Sequence, residues 1–107
     1  MAGTRMIGAA DNGRNVNVRV GDLVVLQLPE NPTTGYRWAV ETAGSLTLVA
    51  DNFAAGHAGP GGGGVRRLEW RATSPGTQDL LLLQRREWEA AGQEIARFML
   101  SITVASR

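Results

Sequence analysis

The apolar positions of this chain recur with a period of two. Val16, Val18 and Val20 alternate with Asn17 and Arg19, as on a strand with one face toward a core and the other toward water. Gly21-Asp22 follows as a turn signal. Leu23 to Leu28 is apolar except for Gln27, the pattern of a strand covered on both faces. Tyr36, Trp38 and Val40 alternate with Arg37, Ala39 and Glu41, and Leu46 to Val49 is a shorter candidate. Within Val65 to Ala72, Leu68 and Trp70 share one face and Arg67, Glu69 and Arg71 the other. Ser74-Pro75-Gly76 marks a turn before Thr77 to Gln84, and Ala96, Phe98, Leu100, Ile102 and Val104 alternate near the end of the chain. Seven to eight short strands separated by Gly, Pro and Asn clusters predict an all-β sandwich. Glu87 to Arg97 has helix-forming composition, but Gly92 interrupts it and strands flank it, so it reads as a hairpin loop.

Composition narrows the field. A chain of 107 residues is one domain's worth, and residues 1–10 leave room for a flexible N-terminal segment. The hydrophobic share of 43% and charged share of 20% are those of a globular protein rather than a disordered one. The net charge of +1 steers the molecule toward neither nucleic acid nor an anionic membrane. With no cysteine and a single histidine, His57, a thiolate nucleophile, a disulfide, a catalytic triad and a multi-histidine metal site are out of reach. No catalytic residue, metal or cofactor is expected. Glu87, Glu89 and Glu94 fall in a loop rather than as a pair on a rigid element, and read as solvated charges. Met1 to Gly8 lacks the apolar stretch of a signal peptide. The expectation is a cytoplasmic protein, or a periplasmic or secreted one whose leader has been removed.

A sandwich binds through the loops at its ends, and three loops stand out. In Pro29-Glu30-Asn31-Pro32-Thr33-Thr34-Gly35-Tyr36, the prolines fix φ, Asn31 is held extended by the proline after it, and Gly35 permits a positive φ. The loop should be short, stiff and narrow, with little entropy to lose on binding; alone, it also reads as a well-made turn. Gly59-Pro60-Gly61-Gly62-Gly63-Gly64 lacks the following helix of a phosphate cradle. It reads either as a linker or as a loop whose backbone can approach a partner closely. Gln84-Arg85-Arg86-Glu87-Trp88-Glu89 sets a tryptophan beside arginine in a polar context, the composition of a binding hot spot, or of a tryptophan folded over the core edge. Arg85 and Arg86 should point to opposite faces, so that only one joins Trp88.

These three loops, in this order, resemble the chagasin family of cysteine peptidase inhibitors. The resemblance runs from Asp11-Asn12-Gly13 and Val20-Gly21-Asp22-Leu23-Val24 through Asn31 to Tyr36 and on to Arg97-Phe98. Asn31-Pro32-Thr33-Thr34-Gly35-Tyr36 matches the family's first motif throughout, and Gly61-Gly62-Gly63-Gly64 corresponds to its glycine loop. Arg86 and Trp88 match its Arg-Pro-Trp element, in which proline is here Glu87. The resemblance implies an immunoglobulin-like sandwich and a reversible inhibitor whose partner is a papain-like cysteine peptidase. The first loop would cover the catalytic cysteine while the other two flank it, with Arg86 and Trp88 packing on an aromatic surface beside the active site. A one-to-one inhibitor of this kind needs no symmetry and is expected to be a monomer. Glu87 in place of proline predicts a looser third loop and weaker or redirected inhibition. The competing reading keeps the loops but gives them a different, non-cysteine-peptidase protein partner.

Overall fold

The computed structural model describes residues 2–56, 63–90 and 92–106. Eight strands form two four-stranded sheets: β1 (Thr4–Gly8), β2 (Asn15–Arg19), β3 (Leu23–Glu30), β4 (Arg37–Thr42), β5 (Thr47–Ala55), β6 (Gly64–Arg71), β7 (Gly76–Arg85) and β8 (Ala96–Ala105). One sheet runs β1-β3-β6-β5 and the other β2-β8-β7-β4. β1 joins β3, and β2 joins β8, as parallel pairs; the remaining neighbours are antiparallel. Two short 3₁₀ turns complete the described elements, at Ala9–Asp11 and Pro32–Thr34.

The period-two pattern works as read. Val24 and Leu26 of β3 pair with Trp70 and Leu68 of β6, and Leu80 and Leu82 of β7 pair with Leu100 and Phe98 of β8. All are buried in one core with Val16, Val18, Ile102 and Val104. The double-sided burial expected of β3 holds over Val24–Leu26, where Val25 is covered on the outer face opposite Met6 and Glu69. It fails beyond, because Gln27 and Pro29 are exposed.

Two strands depart from the sequence reading. Residues 4–8, within the stretch where the sequence left room for a flexible segment, form β1. Ile7 enters the core, and Asp22 accepts hydrogen bonds from the backbone N–H of Gly3 (2.8 Å) and Arg19 (2.9 Å), tying the start of the chain to the β2–β3 turn. The candidate at Leu46–Val49 is the start of a nine-residue strand, β5. Its second half, with Asp51 and Phe53 opposite Leu68 and Arg66 of β6, shows no alternation because β5 is an edge strand with little apolar area to bury.

Candidate functional site

The ends of β3, β5 and β7 and the starts of β4, β6 and β8 meet at one end of the sandwich. There the segment between β3 and β4 folds on itself. Pro32–Thr34 makes a 3₁₀ turn capped by Asn31, whose side-chain oxygen accepts from Thr33 N (3.1 Å) and Thr33 Oγ1 (2.7 Å). Asn31 O accepts from Thr34 N (3.2 Å) and Thr34 Oγ1 (2.8 Å), and Pro32 O from Gly35 N (3.1 Å). Tyr36 N donates to Thr34 Oγ1 at 3.2 Å. The backbone N–H groups of residues 33–36 are therefore all engaged inside the loop. That leaves a tip, Pro32-Thr33-Thr34, that is exposed and yet internally satisfied. Gly35 sits at φ +80°, the left-handed geometry that the sequence led us to expect of it.

The loop after β7 closes onto this turn. Arg86 Nε donates to Thr34 O at 3.0 Å. Its guanidinium carbon lies over the Tyr36 ring, 4.2 Å from its centre, and 5.9 Å from the centre of the Trp88 ring, so the cation interacts with two aromatic side chains. Glu89 Oε1, buried and without a hydrogen bond, faces Arg86 Nη1 at 3.9 Å. Trp88 is 72% exposed, and the ring covers Gly35: a Cβ there would lie 2.6 Å from Trp88 Cη2. Arg86, not Arg85, is thus the arginine that joins Trp88. Within the chain, the Arg86 side chain ties the third loop to the first.

Gly63 and Gly64, at the start of β6, lie beside Glu30 and Asn31. Gly56 N donates to Gly63 O at 2.9 Å, closing the base of the glycine loop. A Cβ on Gly63 would stand 3.2 Å from Glu30 O and 3.6 Å from Asn31 Cβ, and one on Gly64 would collide with Ala54 O and with Phe53 Cζ. Gly64 thus leaves no room for a side chain, whereas one at Gly63 would be tight against the Glu30 backbone. Gly61, Gly62 and His57 lie outside the described residues.

Sequence reasoning missed what lies under these loops. Glu30 ends β3 on the inward face, with a fully buried carboxylate gripped by Arg66 Nε (2.7 Å) and Nη2 (3.0 Å). Arg66 also reaches Asp51 (3.1 Å) and lies over the Phe53 ring at 5.6 Å. Hydrogen bonding to Glu30, against the opposing effect of burial, raises the Arg66 pKa above its ordinary value. Trp38 Nε1, from the opposite sheet, donates to Pro29 O at 2.9 Å. The signal was present in the parity. Glu30 falls in phase with Val24, Leu26 and Leu28, and Arg66 with Leu68 and Trp70, so each charge occupies an inward position and the two are complementary.

This end of the molecule therefore presents an internally bonded central turn, covered by a tryptophan loop and with Gly63 packed beside Glu30 and Asn31. A profile described as "Chagasin family peptidase inhibitor I42" matches residues 17–102. The chain belongs to the chagasin family. Chagasin of Trypanosoma cruzi is 31% identical over 96 residues, which cover 83% of this chain and 87% of that protein. Amoebiasin-1 of Entamoeba histolytica is 31% identical over 98 residues, covering 88% and 93%. The crystal structure of EhICP2, a cysteine protease inhibitor from Entamoeba histolytica, superposes with a TM-score of 0.88 over 96% of both chains at 21% identity. The chagasin family comprises peptidase inhibitors, and its member described here is a peptidase inhibitor rather than an enzyme. Among the described residues, no group of three His, Asp or Glu is placed to hold a metal.

Proposed function

We propose that this chain inhibits papain-like cysteine peptidases by inserting Asn31–Tyr36 into the active-site cleft, with Trp88 and the glycine run Gly61–Gly64 against its two walls. Membership of an inhibitor family supports the activity. That EhICP2 is a cysteine protease inhibitor supports the peptidase class. The observation that carries the mode of binding is the internally closed turn of Pro32–Thr34, with every N–H of residues 33–36 engaged in the loop. A substrate gives its extended backbone to the enzyme's cleft. This loop enters already folded, so it fills the space over the nucleophile without adopting a substrate's conformation and loses little entropy in doing so. Trp88, at 72% exposure, supplies the large apolar anchor that tight association requires.

The test is hydrolysis of a fluorogenic peptide by papain in the presence of the purified chain. The expected result is competitive inhibition at submicromolar concentration with one inhibitor per enzyme. No inhibition at micromolar concentration would overturn the proposal and favour a different protein partner.

A further inference from the structure

Three carbonyls of the central loop are engaged within the molecule. Those of Asn31 and Pro32 are held by the turn itself, through Thr34 and Gly35. That of Thr34 is held by Arg86 Nε at 3.0 Å, from a residue 52 positions away on another loop. Arg86 contributes no atom to the 3₁₀ turn, so its bond to Thr34 O can be removed without changing the turn's own sequence. Its guanidinium is fixed edge-on to that carbonyl by Tyr36 and Trp88, whose ring centres lie 4.2 Å and 5.9 Å away, and by Glu89.

Cleavage by a cysteine peptidase needs that kind of carbonyl. The thiolate attacks the carbonyl carbon, and the oxygen takes up negative charge in a site of hydrogen-bond donors. The C–N bond then breaks as the leaving amine accepts a proton from the imidazolium. Water finally adds to the thioester, releasing the carboxylic acid and restoring the thiol. A carbonyl already bound to an arginine of its own chain must give up that bond before it can enter the enzyme's oxyanion site. If the Thr34–Gly35 bond were cut, the amine released would be that of Gly35, which the turn holds against Pro32 O.

We propose that Arg86 is a positioning residue that keeps the central loop from being a substrate, by holding the Thr34 carbonyl away from the peptidase's oxyanion site. This rests on the reading of the chain as an inhibitor of papain-like peptidases. It assigns Arg86 a role in resistance to cleavage that is separate from any contribution to affinity.

Arg86→Met and Arg86→Gln separate these effects. Both remove the charge and the cation stacked on Tyr36. Gln places an N–H donor at the same distance along the side chain as arginine Nε, whereas Met places none. The Arg86 side chain is 35% exposed, so neither change opens the core, and a melting curve checks that each variant is folded. Each variant, at a concentration well above its own inhibition constant, is incubated with papain and its mass followed. The expected result is that the wild type and Arg86→Gln stay intact while Arg86→Met is cut between Thr34 and Gly35, about tenfold faster or more than the wild type, as the loss of one charge-assisted hydrogen bond implies. An Arg86→Met chain that inhibits but remains uncut would overturn the inference, as would equal cleavage of both variants. A wild-type chain that neither inhibits papain nor is cut by it would overturn the peptidase reading itself, and this inference with it.

Discussion

At Gly35, two separate facts point to the same residue. Its φ of +80° disfavours any side chain, and a Cβ would come within 2.6 Å of the Trp88 ring. Gly35→Ala therefore costs about 1 kcal/mol in backbone strain and also pushes Trp88 from its place. We expect inhibition at least about tenfold weaker, with a melting temperature only slightly lowered; an inhibition constant equal to the wild type's would show that the Trp88–Gly35 packing does not matter. Glu87, exposed between two anchored neighbours, was expected to loosen the third loop. The structure restrains that loop by other means, through Arg86 on Thr34 and the turn in which Glu89 N donates to Arg86 O at 3.2 Å. Glu87→Pro should therefore improve inhibition by no more than about fivefold, the scale of one restricted backbone residue, and a larger gain in the measured constant would mean that the loop is loose after all.

Among the elements, β3 and β6 carry the buried Glu30–Arg66 pair directly beneath two of the loops. Removing Glu30 leaves the buried Arg66 guanidinium with only the more exposed Asp51 as a partner, so Glu30→Ala should destabilise the fold by about 3 kcal/mol, measured by denaturant unfolding. A change below about 1 kcal/mol would mean that water reaches Arg66 freely. A different device holds β1. Hydrogen bonds from Gly3 and then Arg19 lower the pKa of Asp22 below the ordinary 3.8. With the folded value depressed, the stabilisation is complete above the unfolded value and is lost as pH falls through the folded one. Wild type and Asp22→Asn should thus differ in β1 amide exchange at about pH 6 and converge toward about pH 2; a gap that persists in acid would place the effect elsewhere. These elements also mark where sequence patterning stops being informative. β2, β3, β6, β7 and β8 announce themselves because each lays one apolar face on the core. β1 contributes only Ile7 to that core, and the edge strand β5 contributes no residue to it, so neither leaves a periodic trace.

For the molecule as a whole, the sandwich and the order of its loops were legible in the sequence, because alternation and turn residues act locally. The joining of the loops was not. The Arg86–Thr34 bond and the packing of Trp88 on Gly35 link residues about fifty positions apart, and nothing local in Gln84–Glu89 shows which arginine will turn inward. The outcome is a molecule whose proposed inhibitory end is assembled before any partner arrives, on a scaffold with no cysteine that reducing agents needed by a cysteine peptidase would leave untouched. The central claim is that this end, and no other surface, does the inhibiting. It is tested most directly by the papain inhibition constants of two variants: Trp88→Ala, and Leu48→Ser, which alters an exposed apolar residue near the opposite end of the sandwich. The account predicts a loss of about 2 kcal/mol, close to thirtyfold, for Trp88→Ala and no change for Leu48→Ser. An unchanged constant for Trp88→Ala, or a comparable loss at Leu48, would contradict it.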